Sequence, residues 1–173
     1  MTEKFETILA AEGFEITRGF NSGALFADIY AFRKGRNFVF PQRDFFFFHD
    51  ADARKIDALS AAKLHDAARN FADAMFSMPR ALRFTVPNIA SVFYSENGIP
   101  QGIKELAEKN TRSIIGGEIH QIFALDIKER KFYSQGTHTV RTYGGPMPMK
   151  MKFNKIDPQN RAYYIIEKLL KIL

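Results

Sequence analysis

Residues 43–50 read Arg-Asp-Phe-Phe-Phe-Phe-His-Asp, four consecutive phenylalanines held between aspartates. Successive side chains of a strand point to opposite sides, so Phe45 and Phe47 face one way and Phe46 and Phe48 the other. A strand apolar on both sides belongs inside a sheet with a layer above it and a layer below. The run therefore predicts a central core strand; the competing reading leaves one Phe pair exposed as a partner-binding patch. Asp50 and Asp52 mark where the strand leaves the core.

Upstream, residues 24–40 read as two strands joined by a turn at Lys34-Gly35, with Pro41 interrupting the second before the Phe run resumes it. Residues 2–14 form a short helix stopped by Gly13. Downstream, Ala61, Leu64, Ala68, Phe71, Met75 and Met78 step by three and four, the stripe of an amphipathic helix capped by Asp57 or Ser60 and ended by Pro79. A strand broken at Pro87 follows, then a turn at Asn97-Gly98 and a helix opening at Pro100. Residues 116–136 read as a hairpin turning near Lys128-Glu129. Met147, Met149, Met151 and Phe153 alternate with Pro148, Lys150 and Lys152, the pattern of a protected edge strand. A last helix opens at Asp157-Pro158. No repeat or linker divides residues 1–173, which predicts one globular domain. The fold class is α+β: a mixed, mostly antiparallel sheet of about six strands with helices packed on both faces.

The 173 residues include 18 Phe, no Trp and no Cys. Phenylalanine fills a core without a polar atom to satisfy. Without cysteine there are no disulfides, no thiolate nucleophile and no Cys-ligated metal. The N-terminal stretch is acidic where a signal peptide would be basic, and no segment reaches the roughly 18 apolar residues of a membrane helix. Both point to a cytoplasmic chain with no membrane partner. The net charge is +6. Residues 128–173 hold ten Lys/Arg against three acidic residues, so the whole surplus lies in the last quarter of the chain. Such asymmetry fits an anionic partner, nucleic acid or acidic protein; surface lysines that keep an edge strand and a helix soluble are the plainer account.

Among residues that carry chemistry, Asp28 shares a strand face with Phe26 and Tyr30. A turn at Lys34-Gly35 places it opposite position 41, near Gln42 and Asp44, where oxygen ligands on neighbouring strands can hold Mg²⁺ or Mn²⁺. Asp28 and Asp44 are the catalytic candidates. The pairing is similar to the restriction-endonuclease-like arrangement, a strand Asp followed by acidic-x-Lys on the next strand. Gln42-Arg43-Asp44 has no lysine in that slot, and membership is not read from it. Glu118 and His120 share a strand face after Gly116-Gly117 and are the metal candidates, with His138 as a possible third ligand; a solvated face carrying Asp126 is the alternative. The pairs His49-Asp50 and His65-Asp66 do not fit a helical phosphohydrolase site, His49 because it ends a strand and His65 because it is expected to be exposed. The Met alternation reads as core rather than a Cu(I) site. The Gly pair near Arg112 lacks the spacing of a phosphate loop.

Arg130, Lys131, Tyr133, Arg141, Lys150 and Lys152 form the candidate anion-binding set, in which Lys131 and Tyr133 share a strand face and can act as a stacking platform. Three functions follow as expectations. The first is a binding module that engages an anionic partner through the basic C-terminal surface, with no cofactor. The second is a metal-dependent, nuclease-like hydrolase using strand carboxylates with Mg or Mn. The third is a homodimer formed through the C-terminal helix or an exposed Phe face.

Overall fold

The computed structural model describes residues 2–37, 40–77, 86–109, 119–134 and 161–173. In these residues four helices accompany one six-stranded mixed sheet. The helices are α1 (Thr2–Ala11), α2 (Ala58–Ala74), α3 (Gln101–Lys109) and α4 (Arg161–Ile172). The strands are β1 (Glu15–Ser22), β2 (Leu25–Asn37), β3 (Phe40–Asp50), β4 (Val86–Ser95), β5 (Ile119–Asp126) and β6 (Lys131–Tyr133), ordered in the sheet as in the chain. Pairings β1–β2, β2–β3 and β5–β6 are antiparallel; β3–β4 and β4–β5, bridged by α2 and α3, are parallel. The fold is α+β and mostly antiparallel, as the sequence suggests.

The Phe run decides this architecture. Phe45, Phe46, Phe47 and Phe48 are all fully buried, so the run is a core strand and not a docking patch. Phe46 and Phe48 join a cluster with Phe5, Ile8 and Leu9 of α1 and Ile165, Ile166 and Leu169 of α4. Phe45 and Phe47 join another with Ala68 and Ala72 of α2. The alternation of one strand thus sorts its phenylalanines between different helices. Each ring contributes roughly 2–3 kcal/mol of transfer free energy.

Local chemistry sets the element ends. Asp57 caps α2 by accepting from the N–H of Ser60 at 2.8 Å. Gly13, at φ +80°, ends α1, with its N–H on the Ala10 carbonyl. At Gly102 in α3 a Cβ would sit 3.2 Å from Cβ of Ala58, so the glycine lets α3 close on α2.

Several expectations change. The hairpin does not turn at Lys34-Gly35; β2 continues through it, and the register runs on to the Asn37–Phe40 pair. Pro41 is tolerated as the second residue of β3, before pairing with β4 begins at Gln42–Val86. Pro87 is likewise the second residue of β4 and does not break it. A further strand, β1, was not expected: it is a mostly exposed edge whose polar residues hide the alternation of Phe14, Ile16 and Phe20. The Met-rich stretch and the start of the last helix at Asp157-Pro158 lie outside the described residues.

Candidate functional site

The corrected register moves Asp28. It lies one step beyond the Ile29–Phe48 pair, beside His49 and not beside Gln42 or Asp44. Asp44 and His49 are five residues apart along β3, roughly 17 Å at about 3.3 Å per residue, and point to opposite sides. Asp28 and Asp44 therefore do not share a cleft. Asp28 accepts from the backbone N–H of Asp50 at 2.7 Å and from Arg54 at 3.0 and 3.1 Å, and the Arg54 guanidinium lies over the Phe26 ring.

The loops at the carboxyl ends of β3, β4 and β5, where open sheets usually hold ligands, use their acids as staples. Asp50 accepts from the N–H groups of Asp52 and Ala53. Asp52 accepts from the Ser95 hydroxyl, the Glu96 and Asn97 N–H groups and the Asn97 amide, tying the end of β3 to the end of β4. Asp126 accepts from Ile99 and Glu129 N–H groups and pairs with Lys104 at 3.0 Å. Burial favours the neutral form of Asp126, but the Glu129 N–H, Lys104 and the Ile99 N–H together hold it below the usual carboxylate range. Among the described residues no group of three or more His, Asp or Glu converges to hold a metal.

At the other end, Asp44 is fully buried. Its Oδ2 accepts from Arg33 Nε and Nη2 at 3.2 and 2.7 Å, and its Oδ1 from Gln42 Nε2 and Asn88 Nδ2 at 2.8 and 3.2 Å. Arg33 also donates to the Glu12 carbonyl and lies over the Phe14 ring. The result is a polar row that crosses three strands and anchors the end of α1.

His65 is buried, not exposed as its place beside the apolar stripe suggests. Its Nδ1 lies 2.8 Å from Ser91 Oγ on β4 and its Nε2 lies 3.1 Å from His120 Nδ1 on β5. Each contact needs one proton, so a neutral His65 donates to one neighbour and accepts from the other. Burial, then His120, Arg69 and His49, pull its pKa down to about 3. His49 is also buried, stacked on Phe93, and is pulled down to about 4 by burial, with Asp28 opposing the shift and Arg54 adding to it. A serine nucleophile needs open space at Oγ and a base that titrates near the working pH. Ser91 is fully buried in mid-strand, and a histidine this acidic is a poor base. Through a neutral His65, the trio joins α2 to β4 and β5. Its side of β5 is not a solvated face, since His120 is 7% and Asp126 1% exposed.

The basic candidates are partly described. Arg130 and Lys131 are exposed, as are Lys128 and Lys171, and none of these four forms an ion pair among the described residues. Arg130 Nη2 reaches the Leu173 carbonyl at 3.4 Å, bringing the β5–β6 turn against the end of α4. Tyr133 is half-buried: its hydroxyl donates to Glu129 at 2.9 Å and its ring lies under the Lys104 ammonium. That ring face is therefore taken, which corrects the expectation of an open stacking platform. Arg141, Lys150, Lys152, Glu118 and His138 lie outside the described residues.

The sequence missed the His65–Ser91–His120 trio because its members are 26 and 55 residues apart. The one available signal was His65 standing next to Leu64 on the buried stripe. The chain matches no protein-family model, no curated protein and no solved structure.

Proposed function

We propose that the chain is a binding module that engages an anionic polymer, nucleic acid in the first instance, through a basic corner formed by the β5–β6 turn and the end of α4. One observation carries this reading: the Arg130–Leu173 contact gathers Lys128, Arg130, Lys131 and Lys171, all exposed and without ion pairs among the described residues. The cations elsewhere that brace the fold, Arg33, Lys104 and Lys168, are committed to Asp44, Asp126 and Glu12. In sequence, the surplus of Lys and Arg also begins at residue 128. With the Tyr133 ring covered, recognition rests on phosphate charge rather than base stacking, so it is sequence-tolerant.

Fluorescence polarisation of labelled oligonucleotides across a salt series tests this. Four phosphate contacts give a slope of log K against log salt of about −3 for a single strand. Charge reversal at Lys128 and Lys131 should weaken binding without changing the melting temperature. Failure to bind at low salt, or a slope near zero, removes the reading.

A further inference from the structure

The polar row at Asp44 contains two acceptors with no partner among the described residues. Gln42 and Asn88 both turn their amide N–H groups to Asp44 Oδ1. That contact fixes both orientations, because turning either amide over would set its oxygen against the carboxylate. Gln42 Oε1 and Asn88 Oδ1 are then buried with no partner among the described residues, in side chains that belong to residues 4% and 0% exposed. Native proteins seldom leave such atoms unmatched, and a bound water or ion is one established reason where they do.

The chemistry of the surroundings narrows what fits. The Asp44 charge is balanced by the Arg33 guanidinium, and both its oxygens already accept hydrogen bonds. What remains is a pair of neutral acceptors. Phosphate and carboxylate groups bring only further acceptors and are repelled. Calcium needs six to eight oxygens and magnesium near-ideal octahedral geometry, far more than two amide carbonyls supply. Two acceptors call for a hydrogen-bond donor, and the two amides adjoin because both N–H groups end on the same Asp44 oxygen. We propose that Gln42 and Asn88 form a binding site for a small hydrogen-bond donor without negative charge, either an internal water or the ammonium or amide end of a ligand. The site is separate from the basic corner and selects for the opposite chemistry.

Nuclear magnetic resonance of the ¹⁵N-labelled protein tests it through the side-chain NH₂ signals of Gln42 and Asn88. Water-selective cross-relaxation is measured first, followed by titration with ammonium chloride against potassium chloride at matched ionic strength. Long-lived water contacts at both NH₂ groups identify the occupant as water. Shifts of both signals with ammonium and not potassium, without water contact, identify a ligand's donor group. Absence of water contact together with the same response to both salts overturns the proposal. Gln42→Met, which keeps the shape and removes one acceptor, should abolish the effect at Asn88; an unchanged Asn88 signal in that folded variant overturns the shared site.

Discussion

Replacing Asp44 with alanine should destabilise the protein by about 3–5 kcal/mol, the range found when one partner of a buried ion pair is removed. The magnitude follows from what loses its acceptor. Arg33 Nε and Nη2, Gln42 Nε2 and Asn88 Nδ2 all end on this one carboxylate, which is fully buried, while the Arg33 side chain is only 15% exposed. Each buried donor left unmatched costs about 1–3 kcal/mol, and the sum is limited because Arg33 keeps the Glu12 carbonyl and the Phe14 ring. Urea unfolding followed by far-ultraviolet circular dichroism is the assay, since the chain has no Trp for fluorescence. Arg33→Met paired with Asp44→Leu should recover only the part owed to Arg33, because the Gln42 and Asn88 amide N–H groups still lose their acceptor. The result against the reasoning is an Asp44→Ala protein as stable as the parent or more so. A carboxylate that lowers stability is one retained for function, and Asp44 would return as a catalytic residue.

The histidines set the pH dependence. His49 and His65 are neutral in the fold, with values near 4 and 3, whereas the unfolded chain takes up protons at about 6.5. The unfolded state binds more protons below that point, so stability is intact above about pH 7 and falls by up to about 1.4 kcal/mol per pH unit per histidine as pH drops toward 4. At pH 5 the two together cost about 4 kcal/mol, read as a lower urea midpoint, and His49→Phe should remove about half of that loss. Carboxylates such as Asp126, held low, lose their contribution only below about pH 4, so the window from pH 5 to 6.5 belongs to the histidines. Asp57→Ala removes the α2 cap and should cost about 1 kcal/mol, with faster amide exchange confined to the first turn of the helix. Phe46→Ala opens a cavity between β3, α1 and α4 and should cost about 3–5 kcal/mol, measured by the same urea assay.

The core was legible because its signal is local. Four phenylalanines in sequence can only alternate, and Asp57 ahead of an apolar stripe is a cap that three residues define. Register was not legible in the same way. Lys34-Gly35 looks like a turn, yet extending β2 to Asn37 adds ladder pairs with β3, and that gain outweighs the local preference of one glycine. The observed register moved Asp28 from the Asp44 end of β3 to the His49 end. His65 shows a second limit. A histidine beside a buried stripe is exposed by default, and its burial depends on Ser91 and His120, which arrive through two crossover connections.

The same partition separates charges that hold the fold from charges that do not. Lys104 sits in a hydrogen-bonded pair with a carboxylate 1% exposed, and that contact raises its pKa, first through the Asp126 hydrogen bond. Lys168 is bound to Glu12 and bridges α4 to the end of α1. Changing either to methionine should lower stability and leave oligonucleotide affinity nearly as it was. Lys128 and Lys131 are exposed with no such partner among the described residues, so the same change there should leave the melting temperature fixed and flatten the salt slope by about one unit each. A lysine that moved both quantities together would break this division, because it would mean that the surface offered to a partner is also the one the fold requires.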